Sequence, residues 1–116
     1  MIAFKKVTEQ LIQLLDTLEE TFREEREVER DRNYFHYVKN ETNDYFILLD
    51  EWEKAALALA EEGRTKVYPE QISTTIENMK TLIMHSYYQD VRKRRYMEIK
   101  KSCHYIFILS IEEMNE

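Results

Sequence analysis

The sequence predicts an all-α protein, an antiparallel up-and-down four-helix bundle. Three observations predict it. The 116 residues include one Gly and one Pro, whereas sheets, barrels and α/β folds use both freely in their turns. Apolar residues recur at steps of three and four in four separate stretches, which is the spacing of one helix face. The intervals between these stretches are short, and short connections make consecutive helices antiparallel neighbours. A chain of this length forms a single domain, here residues 1–116, and buries enough surface for a core without disulfide staples.

The first stripe is Val7, Leu11, Leu14, Leu15, Leu18 and Phe22, and it predicts a helix over about residues 3–29. Its far half, Glu19 to Asp31, is polar and runs past the stripe. Tyr34, Phe35, Tyr37 and Val38 then crowd one short helical turn. Asn40, Thr42 and Asn43 offer N-cap chemistry, so the second long helix is expected from Asn43 to Glu62. Its stripe is Tyr45, Leu48, Leu49, Trp52, Ala56 and Leu59, and Gly63 stands where a left-handed C-cap belongs. Pro69 suits the first turn of a third helix, followed by Ile72, Ile76, Met79, Leu82, Ile83 and Tyr87. The fourth carries Tyr96, Ile99, Cys103, Ile106, Phe107, Ser110 and Met114. The turn before it falls near Gln89 to Lys93. The run Tyr105 to Leu109 resembles a strand in isolation, but its helical flanks make it helix.

Composition excludes several functions. Cys103 is the only cysteine, so no intrachain disulfide forms, and its apolar neighbours mark it as a small core residue. No apolar run approaches the roughly 20 residues of a membrane span, and Met1 to Leu11 lacks a secretory signal pattern. The expected location is the cytoplasm. A net charge of −6 argues against nucleic acid and anionic lipid as partners.

One segment is out of character. Asp90 to Ser102 carries six cations and two anions, and Glu19 to Asp31 carries seven acids and three bases. An up-and-down bundle brings these two segments to one pole, where the basic turn offsets acids at the C-terminal end of helix 1. The competing reading is a polyanion site at Arg92–Arg95. Consecutive cations on a helix fan out by 100° each and form no groove-reading stripe.

No signature of catalysis or of a resident cofactor is present. The residues three before His36, His85 and His104 are Asn33, Leu82 and Lys101, so the Glu-x-x-His pairs of di-metal bundles are missing. There is no HExxH, zinc spacing, Walker loop or GxGxxG. One pattern does occur: Glu24-x-x-Glu27 and Glu41-x-x-Asp44 resemble the EXXE…EXXD carboxylates of all-α nucleotide pyrophosphohydrolases, which hold Mg²⁺ on two helices. In a chain with 23 acids such spacing arises easily, and a solvated charge run is the simpler reading. The aromatic group Tyr34, Phe35 and Tyr37 reads either as a hydrophobic plug over the bundle or as a groove edge for a partner peptide or small ligand. Helix 4 has apolar residues to spare at Ile108 and Leu109. Those suit a subunit interface and a homodimer, or a cover formed by Met1–Phe4.

From about Asn33 to Met114 the chain resembles the YppE family, small uncharacterised proteins of bacilli and related Gram-positive bacteria. The resemblance rests on Tyr34-Phe35, Trp52 with Ala56-Leu57, Glu70-Gln71-Ile72, Ser86-Tyr87, Lys93-x-Arg95-Tyr96-x-x-Ile99 and Ser102-x-x-Tyr105. The first helix matches only in pattern. Asn40 stands where the family has proline, and Tyr96 where it has phenylalanine. The resemblance implies a four-helix bundle and no established activity, cofactor or catalytic residue. Within the matched motifs, Ser86, Tyr87, Lys93, Arg95 and Tyr105 read as a hydrogen-bonded brace between helices 3 and 4, or as one wall of a binding site. The expected function is a non-catalytic protein-interaction or regulatory module. Its candidate surface is Tyr34, Phe35, Tyr37, Tyr87, Lys93, Arg95 and Tyr105.

Overall fold

The computed structural model describes residues 3–24 and 29–114. It contains four helices, α1 (Phe4–Arg23), α2 (Arg32–Glu61), α3 (Pro69–Tyr88) and α4 (Lys93–Ile111), arranged as an antiparallel four-helix bundle. No strand occurs among the described residues. α1 packs against all three other helices and α3 against α2 and α4. α1 and α3 therefore form the short diagonal of the bundle. α2 and α4 meet across it where the Trp52 and Phe107 rings lie edge to face with centroids 5.0 Å apart.

Trp52 is fully buried and ties three helices together. Phe4 of α1 stacks on it at 6.0 Å, and its indole N–H donates to Thr8 Oγ1 at 3.0 Å. Thr8 in turn donates to the Phe4 carbonyl at 2.8 Å, so the polar end of this apolar group is satisfied. Leu11, Leu15, Leu18, Leu49, Ile72, Met79, Leu82 and Ile83 continue the core. Phe4 is thus committed to the core rather than folded over α4. Met1 and Ile2, which the sequence offered as part of such a cover, lie outside the described residues.

Two helix boundaries differ from the sequence expectation. α1 stops at Arg23, one residue after its apolar stripe ends. Glu24 takes an extended backbone and its N–H turns back to Thr21 O at 3.3 Å. Residues 25–28 of the expected helix lie outside the described residues, and Glu29 and Arg30 are not helical. α2, expected to start at Asn43, is one unbroken helix from Arg32. Its N-cap is Asp31, which accepts the Tyr34 N–H at 3.0 Å. Asn40, Thr42 and Asn43 lie inside the helix. The Thr42 hydroxyl donates back to Val38 O at 2.8 Å, and Tyr34, Val38 and Thr42 extend the buried face that continues through Leu49, Trp52 and Ala56. Burial of that face overrides local capping preference.

The other boundaries follow the sequence. Gly63 is left-handed at φ 68°. The Arg64 N–H reaches Leu59 O at 2.8 Å and the Gly63 N–H reaches Ala60 O at 3.1 Å, closing α2 in a Schellman motif. Pro69 opens α3, and the Gln71 side chain accepts the Tyr68 N–H at 2.8 Å.

Candidate functional site

At one pole α1 ends, α2 begins, and α3 turns into α4. Each α1 carbonyl left without a partner by helix termination needs a donor. Gln89, itself left-handed at φ 58°, supplies it from the α3–α4 turn. Its Nε2 donates to Thr21 O at 3.2 Å, Phe22 O at 3.1 Å and Glu24 O at 2.7 Å. Directly beneath, the Phe22 ring stacks on Tyr96 with centroids 3.9 Å apart and planes 3° from parallel.

Two tyrosine hydroxyls lock this pole. Tyr34 donates to the Tyr87 carbonyl, joining α2 to α3. Tyr96 lies 2.6 Å from Ser86 Oγ, joining α4 to α3. Around Tyr34 the rings of Tyr37 and Tyr88 sit at 6.0 and 5.5 Å, and Tyr37 faces Tyr87 at 6.5 Å. Burial, the Tyr45 hydroxyl and the Glu41 carboxylate together push the Tyr87 phenol well above its ordinary range. Burial raises Tyr96 to about 12. Arg30, before α2, lies over the Tyr88 ring at 5.8 Å and pairs with Asp90.

The basic segment meets helix 1, but through fewer residues than expected. Lys100 binds Glu19 at 2.6 Å and Asp16 at 2.8 Å, and its side chain is largely buried. Lys100 holds the Glu19 carboxyl below its ordinary value. Arg94 and Arg95 instead share Glu98 of their own helix at 3.4 and 3.7 Å. The pairing also runs the other way, since Arg30 of the acidic segment binds Asp90 of the basic one.

The candidate surface divides. Tyr34, Tyr37 and Tyr87 come together, but Tyr34 and Tyr87 are buried while Phe35 and Tyr37 are 52% and 41% exposed. Lys93 and Arg95 are exposed on the first turn of α4 at the same pole. Tyr105 is exposed about 15 Å farther along α4. The anticipated α3–α4 brace is made by Ser86 with Tyr96, not with Lys93, Arg95 or Tyr105. Tyr88 was not singled out by sequence, and Tyr45 and Gln89 were read there only as a stripe residue and a turn boundary. Of the four carboxylates in the EXXE…EXXD pattern, Glu41 and Asp44 are exposed on α2 and Glu24 is the extended C-cap of α1. Glu27 lies outside the described residues. Among the described residues no three His, Cys, Asp or Glu side chains are grouped to hold a metal ion. No described helix is long and apolar enough to cross a membrane.

Comparison with known proteins agrees with this architecture. The profile of DUF1798, a bacterial domain of unknown function, matches residues 8–114. The uncharacterised protein YppE of Bacillus subtilis (strain 168) is 27% identical over 101 residues, covering 86% of this chain and 82% of YppE. The crystal structure of YppE superposes with a TM-score of 0.77 at 25% identity, covering 92% of this chain and 89% of that one. Its solution NMR structure gives a TM-score of 0.76 at 25% identity, covering 92% and 88%. The match over nearly the whole bundle, together with the shared fold, establishes that this chain belongs to the YppE-like DUF1798 family of bacterial proteins.

Proposed function

We propose that this bundle is a non-catalytic contact module that engages a protein partner through the start of α2. One observation carries the reading. Phe35 and Tyr37 stay exposed on a helical turn whose preceding residue, Tyr34, is buried and hydrogen-bonded to the carbonyl of the buried Tyr87 behind it. Exposed aromatics on a pre-ordered support bind with little loss of side-chain freedom, and such residues dominate interface energetics. The exposed Lys93 and Arg95 of α4 lie at the same pole and supply a polar rim.

Affinity capture from a lysate of the source organism, with mass spectrometry, tests this. The bait is the wild-type chain beside a Phe35→Ser/Tyr37→Ser variant. The expected result is at least one protein retained by the wild type and lost from the variant, with both baits equally helical by circular dichroism. Identical retention profiles would contradict the proposal.

A further inference from the structure

We infer that the outer face of α4 is a second, independent contact surface whose partner is another copy of this chain, docked antiparallel. The core side of α4 is Tyr96, Ile99, Cys103, Phe107 and Ser110. On the opposite side Arg94, Glu98, Lys101, Tyr105, Ile108 and Glu112 follow at steps of 4-3-4-3-4, and all are exposed. That is the spacing of a seam between two paired helices. Tyr105 and Ile108 are 63% and 42% exposed at its apolar end. Phe4, the large apolar residue among the described part of the expected N-terminal cover, is stacked on Trp52 instead.

Charge selects the partner and its direction. At the start of α4, Arg94 and Arg95 share one carboxylate, Glu98. At its end, Glu112 and Glu113 share one cation, Lys66. Each end therefore holds surplus charge, positive at one and negative at the other. A parallel pair would place like ends together. A two-fold axis passing α4 near Cys103 instead sets Arg94 against Glu112 of the second copy. The same axis sets Lys101 against the Tyr105 ring, a cation–π arrangement, and lays the Glu98 stem on Ile108. Glu98 keeps Arg95 as its ion partner. Symmetry makes each contact twice. With two apolar side chains per copy the interface is small, so the dimer is weak and sensitive to salt. This face is distinct from the start of α2, so either surface can fail its test without the other.

Sedimentation velocity tests the inference on the wild type, Arg94→Glu, Glu112→Arg, and an equimolar mixture of the two variants, each at up to about 1 mM, the range of weak association. Within one variant the end-to-end pairs become like-charged, and in the mixture every pair is attractive again. The expected result is concentration-dependent dimer for the wild type, at least a roughly tenfold weaker association for each variant alone, and recovery in the mixture. Higher salt weakens the wild-type dimer. Circular dichroism confirms that the variants remain folded, both positions being exposed. A wild type that stays monomeric throughout would overturn the inference. So would a mixture no more associated than its components, or association that both variants retain.

Discussion

Ser86 donates its hydroxyl to Leu82 O at 2.7 Å, so the 2.6 Å contact with Tyr96 is donated by the tyrosine. The two substitutions are therefore unequal. Tyr96→Phe removes a donor and leaves Ser86 still bonded, lowering stability by about 0.5–1.5 kcal/mol. Ser86→Ala strands a buried phenol hydroxyl and lowers it by about 1–3 kcal/mol. Urea unfolding ranks them, and a larger loss for Tyr96→Phe would refute the assignment. Burial also raises Tyr96 and Cys103 to about 12, from ordinary values of 10.0 and 9.0. Between those limits the unfolded chain binds fewer protons than the folded one, so stability falls as pH rises. The unfolding midpoint should be insensitive to these groups below about pH 9 and decline between pH 9 and 12. Cys103→Ala should flatten the lower part of the decline and Tyr96→Phe the upper part. The burial of Cys103 was legible from the apolar residues around it. The hydroxyl bonds were not, since their acceptors are set by which helix lies opposite.

Gln89 makes the same point among elements. Gly63 and Pro69 announce helix ends because their backbone limits are local. Gln89 ends α1 from 65 to 68 residues away, and no local pattern encodes that. Gln89→Ala should lower stability by about 1–2 kcal/mol through the lost donors. Gln89→Gly loses the same donors but relieves the left-handed backbone, and should recover about 1 kcal/mol of that. Equal stabilities by chemical denaturation would mean the left-handed strain is absent. The break expected at Asn40–Asn43 was misread for a related reason. Three good capping residues within four positions outweigh a helix interior locally, but not once Val38 and Thr42 are buried against other helices. The charge pairing was legible in sign and place, though its weight falls on one residue. Lys100→Ala should remove about 1–3 kcal/mol, since it strips a largely buried Glu19 of its main donor. Arg94→Glu, fully solvated, should change monomer stability by less than about 0.5 kcal/mol. Glu19, held below its ordinary 4.5, contributes stability above that pH which is lost as the solution is acidified.

For the whole molecule the decisive feature is length. The molecule measures 47 × 28 × 21 Å. α2 with 30 residues spans about 45 Å and α1 with 20 only about 30 Å. The first turns of α2 therefore reach past the end of α1. Tyr34, Arg30, Tyr88 and Gln89 fill the pole there. The four-helix plan was readable from periodicity, because stripe and turn spacing report topology directly. The candidate surface was readable only as a set of residue types, since its division into buried anchors and exposed contacts follows from the unbroken α2. A contact surface at Phe35 and Tyr37 requires those turns to be held rather than frayed. Native-state amide hydrogen exchange, resolved by residue, measures this most directly. The amides of residues 36–42 should be protected nearly as strongly as those around Leu49 and Trp52, and Tyr34→Phe should selectively lower that protection. Exchange of residues 36–42 at the rate of a frayed helix end, unchanged by Tyr34→Phe, would contradict the anchored platform on which the proposed function stands.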